Sequence, residues 1–205
     1  MRSLNRVVLA VVVLLTAAGL AAFLRAKGDR HRLGGATDLA GSLAEVRQTF
    51  NDWIDHPRLL LILSPACPVC LAGAEAVQQQ VLASQEDLRV IVVWMEALPF
   101  DITRNPARRV ESFAGERRMV HFYDMQQVAG ESFAAVLGWP EGSLPWDVFL
   151  YFPAGTEWRA DPPPPAAWFH QREIADPSRY RTGDELVAAL LEVVRPQSVQ
   201  PTPAP

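Results

Sequence analysis

Residues 59–63 read Leu-Leu-Leu-Ile-Leu, and after a short turn the chain continues Cys67-Pro68-Val69-Cys70. Five apolar residues bounded by turn formers predict a strand buried on both faces, because a half-exposed strand would alternate apolar with polar. Ser64-Pro65-Ala66 make the turn, and the residues beyond it predict a helix with Cys70, Ala74, Val77 and Val81 along one side. That order puts Cys67 at a helix start, where unpaired backbone N–H groups and the positive end of the helix dipole stabilise a thiolate. With Cys67 as N-cap, Pro68 falls at N1, where its missing N–H would have had no helical partner. The amides of Val69 and Cys70 stay free to donate to the Cys67 sulfur. Cys70 lies one turn on, within reach of a disulfide and more buried by its position. The asymmetry makes Cys67 the attacking thiolate and Cys70 the resolving thiol.

These are the two cysteines of the chain. Two cannot build a disulfide scaffold or fill a four-thiolate zinc or iron–sulfur site. Leu71 follows Cys70, so the histidine needed for covalent haem attachment is missing. Three uses of the pair stay open: thiol–disulfide exchange, binding of a soft metal such as copper, mercury or zinc, and a disulfide that only clamps a helix end. A metal site would need further ligands, and His56, His121 and His170 have no local spacing to the pair. No resident metal and no cofactor are expected.

Around this centre the pattern predicts alternating helices and strands. A helix is expected from Asp38 as N-cap, with Leu39, Leu43, Val46, Phe50, Trp53 and Ile54 at helical spacing and Pro57 as its stop. Residues 90–94 predict a second buried strand, and an Arg-rich insert over 101–118 is read as partly helical. Val128, Phe133, Val136 and Leu137 predict a further helix closed by Gly138-Trp139-Pro140. Residues 148–152 form the third apolar run, expected to pair as a hairpin with Thr156-Glu157-Trp158. Residues 162–165 are four prolines, a stiff spacer, and 184–194 predict the last helix. The expected fold is a mixed α/β sheet with helices on both faces, spanning 38–195.

Ahead of it, residues 7–24 carry no charge for 18 positions, roughly 27 Å of helix, which suits a bilayer core. The expected order is a short tail over 1–6, a transmembrane anchor or signal over 7–24, a linker over 25–37, and a disordered Pro-rich tail over 196–205. The span is longer than the apolar region of a cleaved signal, which favours an anchor. Positive charge after the span pulls the body towards the cytoplasm, whereas the short front end and the redox pair favour the extracytoplasmic, periplasmic side. We take the second. The net charge of −4 hides a basic front: residues 1–32 carry +5 and the rest −9, which argues against nucleic acid as a partner.

The Cys67-Pro68-Val69-Cys70 segment, in its strand–turn–helix setting, resembles the thioredoxin-like superfamily. Proline after the first cysteine looks like the glutaredoxin and DsbA-type variants, while the anchor, leading helix and long insert look like membrane-tethered proteins of the TlpA type. The resemblance implies a thioredoxin-like mixed sheet flanked by helices, and a thiol–disulfide oxidoreductase acting on protein thiols or disulfides through Cys67 and Cys70. It also implies a proline with a cis peptide bond facing the disulfide and shaping a substrate groove, for which Leu144 and Pro145 are the matching positions. Two departures stand out. Pro145 is followed by Trp146-Asp147 with the strand starting later, which leaves a trans peptide open, and the family's buried acid six residues before the first cysteine is Leu61 here. No carboxylate from that strand can help deprotonate Cys70.

Other candidates have plainer readings. Glu96, Asp101 and Asp124 are expected to be solvated loop carboxylates, and Trp94, Trp139, Trp146 and Trp158 core or core-edge aromatics rather than a groove rim. Asp147 precedes an apolar strand, and a carboxylate there would raise the pKa of a nearby cysteine.

Overall fold

The structure, a computed structural model, describes residues 32–33, 35–98, 110–113 and 115–195. The apolar span over 7–24, Asp101 and the tail over 196–205 lie outside these residues. Among the described residues no helix is long and apolar enough to cross a membrane.

The strands are β1 (Arg32–Leu33), β2 (Ala36–Asp38), β3 (Arg58–Leu63), β4 (Arg89–Met95), β5 (Met119–Asp124), β6 (Val148–Phe152) and β7 (Ala167–His170). They join one sheet in the order β1-β2-β5-β4-β3-β6-β7. The strands β2, β5, β4 and β3 run parallel in turn, whereas β6 and β7 are antiparallel additions and β1 folds back on β2. The helices are α1 (Ala44–Asp52), α2 (Pro68–Ala76), α3 (Val128–Leu137) and α4 (Gly183–Val194).

All six residues of β3 are buried: Leu59 to Leu63 form the continuous apolar run, and the Arg58 guanidinium donates to Phe50 O and Pro153 O at 2.8 Å each. Leu59, Leu61 and Leu63 pack with Val90, Val92 and Trp94 against Cys70, Ala74 and Val77, and against Leu186 and Leu190 of α4. On the other face, Leu60 and Ile62 pack with Ile91 and Val93 against Val46 and Phe50 of α1 and Phe133 of α3. Helices therefore cover both faces of a mixed sheet, and this architecture fits the thioredoxin-like expectation.

Four local expectations change. Asp38 does not cap a helix: it ends β2, and its Oδ1 accepts from the Ala40 amide at 3.0 Å, while α1 starts after Leu43. The sheet thus begins at Arg32, inside the segment read as linker. Directly after the insert comes a strand the sequence reading did not expect, β5, whose residues alternate between the two cores: Met119 and Tyr123 lie in one and Phe122 in the other. Finally, β6 pairs with β7 across the prolines and not with 156–158. Residues 162–164 cannot donate a ladder hydrogen bond or lead into a residue that can, so pairing resumes only where Ala166 N–H donates to Tyr151 O at 2.9 Å. Trp158 turns inward, edge-on to Phe50 and Phe133 at 5.6 and 5.5 Å.

Candidate active site

At the C-terminal end of β3 the chain turns through Ser64, whose carbonyl accepts from the Cys67 amide at 3.2 Å. Cys67 is the N-cap of α2, extended at φ −88° and ψ 116°, with Pro68 following in the first turn. The Cys70 amide donates to Cys67 Sγ at 3.3 Å. This is the geometry of an N-cap oxygen with sulfur in its place. Cys67 keeps 9% of its surface exposed and Cys70 none, and both thiols are free.

The two sulfurs differ in acidity for identifiable reasons. A hydrogen bond from the Cys70 thiol, with help from the Cys70 and Val69 amides, brings Cys67 down to about 7, against the opposing effects of burial and of Asp147. Burial pushes Cys70 well above the ordinary thiol value, and its bond to Cys67 and the charge of Asp147 add to that. At neutral pH Cys67 is about half ionised, whereas Cys70 holds its proton.

Asp147 is the third member. It lies just before β6 in the left-handed region, at φ 60°, and is 2% exposed. A ligand atom from each of Cys67, Cys70 and Asp147 lies within 4.8 Å of the others. Because Val148 pairs with His170, the next residues outward, Asp147 and Gln171, face each other across the antiparallel pair. The Gln171 amide donates to Asp147 O at 3.2 Å and its side-chain Nε2 to Asp147 Oδ1 at 2.9 Å. Burial raises the Asp147 pKa, and bonds to Gln171 and Cys70 together with the charges of Arg172 and His170 oppose the rise. Arg172 stacks over Trp146 at 4.2 Å, donates to Leu144 O at 3.2 Å, and interacts electrostatically with Asp147 and both cysteines.

No protein-family model matches the sequence, and no curated protein matches it significantly. Among solved structures, the chain is similar to a secreted Mycobacterium tuberculosis disulfide oxidoreductase described as homologous to E. coli DsbE. The identity is 15% and the TM-score 0.39, over 67% of this chain and 82% of that one. At that level the likeness gives this chain neither an activity nor a substrate.

The remaining sequence candidates fall elsewhere. No cis peptide bond occurs among the described residues, so Leu144–Pro145 is trans, and the residue brought to the sulfurs is Asp147, two positions on. Pro145 is buried, and Leu144 packs on the opposite face of the sheet from the cysteines. Asp124 is fully buried rather than solvated: its carboxylate caps α3, accepting from Val128 and Ala129 amides at 3.1 and 2.8 Å. Glu96 accepts from the Tyr123 hydroxyl at 2.8 Å. His56 lies beside Arg89, His121 accepts from Trp94 Nε1 at 3.2 Å, and His170 meets Asp176 O at 2.8 Å. None of the three joins the cysteine cluster. Trp94, Trp139 and Trp158 are core residues, and half-buried Trp146 lies under Arg172 at 4.2 Å, with Trp139 farther from the same guanidinium at 6.0 Å. Gln171 and Arg172 carry no sequence signal, because only the β6–β7 register places them here.

Proposed function

We propose that the chain is a thiol–disulfide oxidoreductase acting on protein cysteines, with Cys67 as nucleophile and Cys70 as resolving thiol. The observation that carries this reading is the pairing of a helix-capping cysteine, 9% exposed and brought down to about 7, with a second, fully buried cysteine on the next turn. Cys67 attacks a substrate disulfide or accepts a substrate thiol, and the mixed disulfide passes to the Cys67–Cys70 pair. On this reading the extended substrate segment passes Pro145, two residues before Asp147, while Leu144 is turned to the other face of the sheet. In this proposal the chain is of the membrane-tethered TlpA type, residues 7–24 anchor it in the cytoplasmic membrane, and the domain stands on the periplasmic side. The apolar length of that segment and the redox chemistry of the pair support this placement.

Soft-metal binding has one observation in its favour, the clustering of two sulfurs and a carboxylate. Two others weigh against it. No fourth histidine, cysteine or carboxylate joins them among the described residues, and the Arg172 cation already acts on all three groups. The test is trapping. A Cys70→Ser variant should accumulate mixed disulfides with protein partners, reversible by dithiothreitol, and Cys67→Ser should give none. A wild-type chain that fails to cycle between dithiol and disulfide in any thiol buffer refutes the assignment.

A further inference from the structure

Resolution of a mixed disulfide at Cys67 requires Cys70 to lose its proton, and Cys70 is sealed from solvent. Leu61 occupies the position on β3 from which an acid would reach it. The lead-in to β6 supplies a carboxylate instead. We propose that Asp147 is the proton acceptor for Cys70, taking the Sγ proton as that sulfur attacks the disulfide between Cys67 and the substrate. The assignment rests on the oxidoreductase reading given above.

The geometry supports it from several sides. Asp147 is 2% exposed and lies within 4.8 Å of both sulfurs, so its carboxylate is the alternative to Cys67 as acceptor for the single Cys70 thiol proton. Gln171 holds Oδ1 at 2.9 Å, and its Nε2 also reaches Val69 O at 3.5 Å, tying the carboxylate to the first turn of α2. The groups acting on Asp147 are Cys67 and Cys70 from α2, and His170, Gln171 and Arg172 at and beyond the end of β7. Arg172 and His170 favour the ionised carboxylate, the form that can accept.

The step balances. The Cys70 S–H bond breaks and its proton goes to Asp147. The Cys70 thiolate attacks Cys67 Sγ, the Cys67–substrate S–S bond breaks, and the electron pair leaves on the substrate thiolate. The chain's dithiol is oxidised to the Cys67–Cys70 disulfide, the substrate is reduced, and Asp147 passes its proton to the departing thiolate or to water. Before the step Cys67 is neutral, being bonded to substrate, so the carboxylate no longer faces a thiolate and is free to act.

The full-length chain in mild detergent, treated in its reduced form with 5,5′-dithiobis(2-nitrobenzoate), separates the two steps. A first release of coloured thiolate reports attack by Cys67, and a second reports resolution by Cys70. Asp147→Asn suits the test because asparagine tolerates the left-handed backbone. Below pH 7 its first phase should be unchanged or faster, since Asp147 holds the Cys67 pKa up. Its second phase should slow about 100-fold at pH 7 and recover only at alkaline pH. Gln171→Leu removes a bond that lowers the Asp147 pKa, so the acidic limb of the second phase should move to higher pH while the first phase persists. A second phase in Asp147→Asn that matches wild type across pH overturns the proposal, and so does a parallel loss of both phases, which would mean mispacking. A wild type that gives the first phase without the second refutes the oxidoreductase reading itself, and this assignment with it.

Discussion

The acidity of Cys67 rests first on a bond from the thiol beside it, and this can be measured by removing the donor. At about 7 against an ordinary 9.0, the Cys67 thiolate is favoured by about 2.7 kcal/mol. At pH 7 it is then about half ionised, against about 1% for an ordinary thiol, roughly a fiftyfold gain. A less basic thiolate is also a poorer nucleophile, and a Brønsted slope of about 0.45 takes back roughly eightfold. The net advantage at pH 7 is about sixfold.

Cys70→Ala deletes the donor and keeps the backbone N–H that caps Cys67, whereas Cys70→Ser restores a hydroxyl donor. The pH dependence of iodoacetamide alkylation reads Cys67 alone in both variants. The midpoint should rise in Cys70→Ala, with the rate at pH 7 falling by up to about sixfold, and Cys70→Ser should lie between it and wild type. Identical midpoints near 7 in the two variants would show that the amides and the helix dipole suffice, and would refute the account of how this sulfur is held ionised.

Burial holds His121 down at about 4 against an ordinary 6.5, so the unfolded chain takes up a proton between those values that the fold refuses. The stability this protects is complete above pH 6.5 and is lost as pH falls towards 4, by about 3 kcal/mol. Urea denaturation at stepped pH should show that slope and lose it in His121→Phe, and an unchanged slope would contradict the assignment. A methyl group at Gly73, on α2, would lie 2.7 Å from Phe149 Cζ and 3.0 Å from Gln171 Nε2. Overpacking costs about 1–3 kcal/mol and helix propensity returns about 1, so Gly73→Ala should lower stability by about 1 kcal/mol, and a clear stabilisation in chemical denaturation would oppose this.

What could be read in the sequence follows from locality. The β3 run, Pro68 at N1 and the apolar face of α4 are each set by neighbours a few residues away, so they stand out along the chain. So did the possibility that Asp147 lies near the cysteines, because it directly precedes a strand. β5 was hidden for a physical reason: it is apolar towards both cores, and His121 and Asp124 break the uninterrupted run that marks β3. The partner of β6 was misplaced because Thr156-Glu157-Trp158 is near in sequence, while the true pairing is reached across four prolines. Gln171 and Arg172 could not be found at all, since their positions depend on a register fixed only when the sheet assembles.

The placement of Asp147 bears on which way electrons move. Strongly oxidising cysteine pairs have a nucleophile with a pKa near 3.5, and reducing ones near 7. At pH 7 that difference stabilises the reduced form of the oxidising pair by roughly 4 kcal/mol, or about 90 mV. Cys67 is brought down only to about 7, and Asp147 is one reason it goes no lower. A charged carboxylate beside both sulfurs disfavours a thiolate on either, and so favours the disulfide over the dithiol. In the proposed exchange this makes the pair a readier electron donor than a capped helix start with Pro68 at N1 would be alone. The same charge weakens the first attack and assists the second, because the first needs Cys67 ionised and the second needs a base for Cys70. Relieving the first effect by substitution removes the second, so this site cannot become a strong oxidant through Asp147 without also losing its route to resolution.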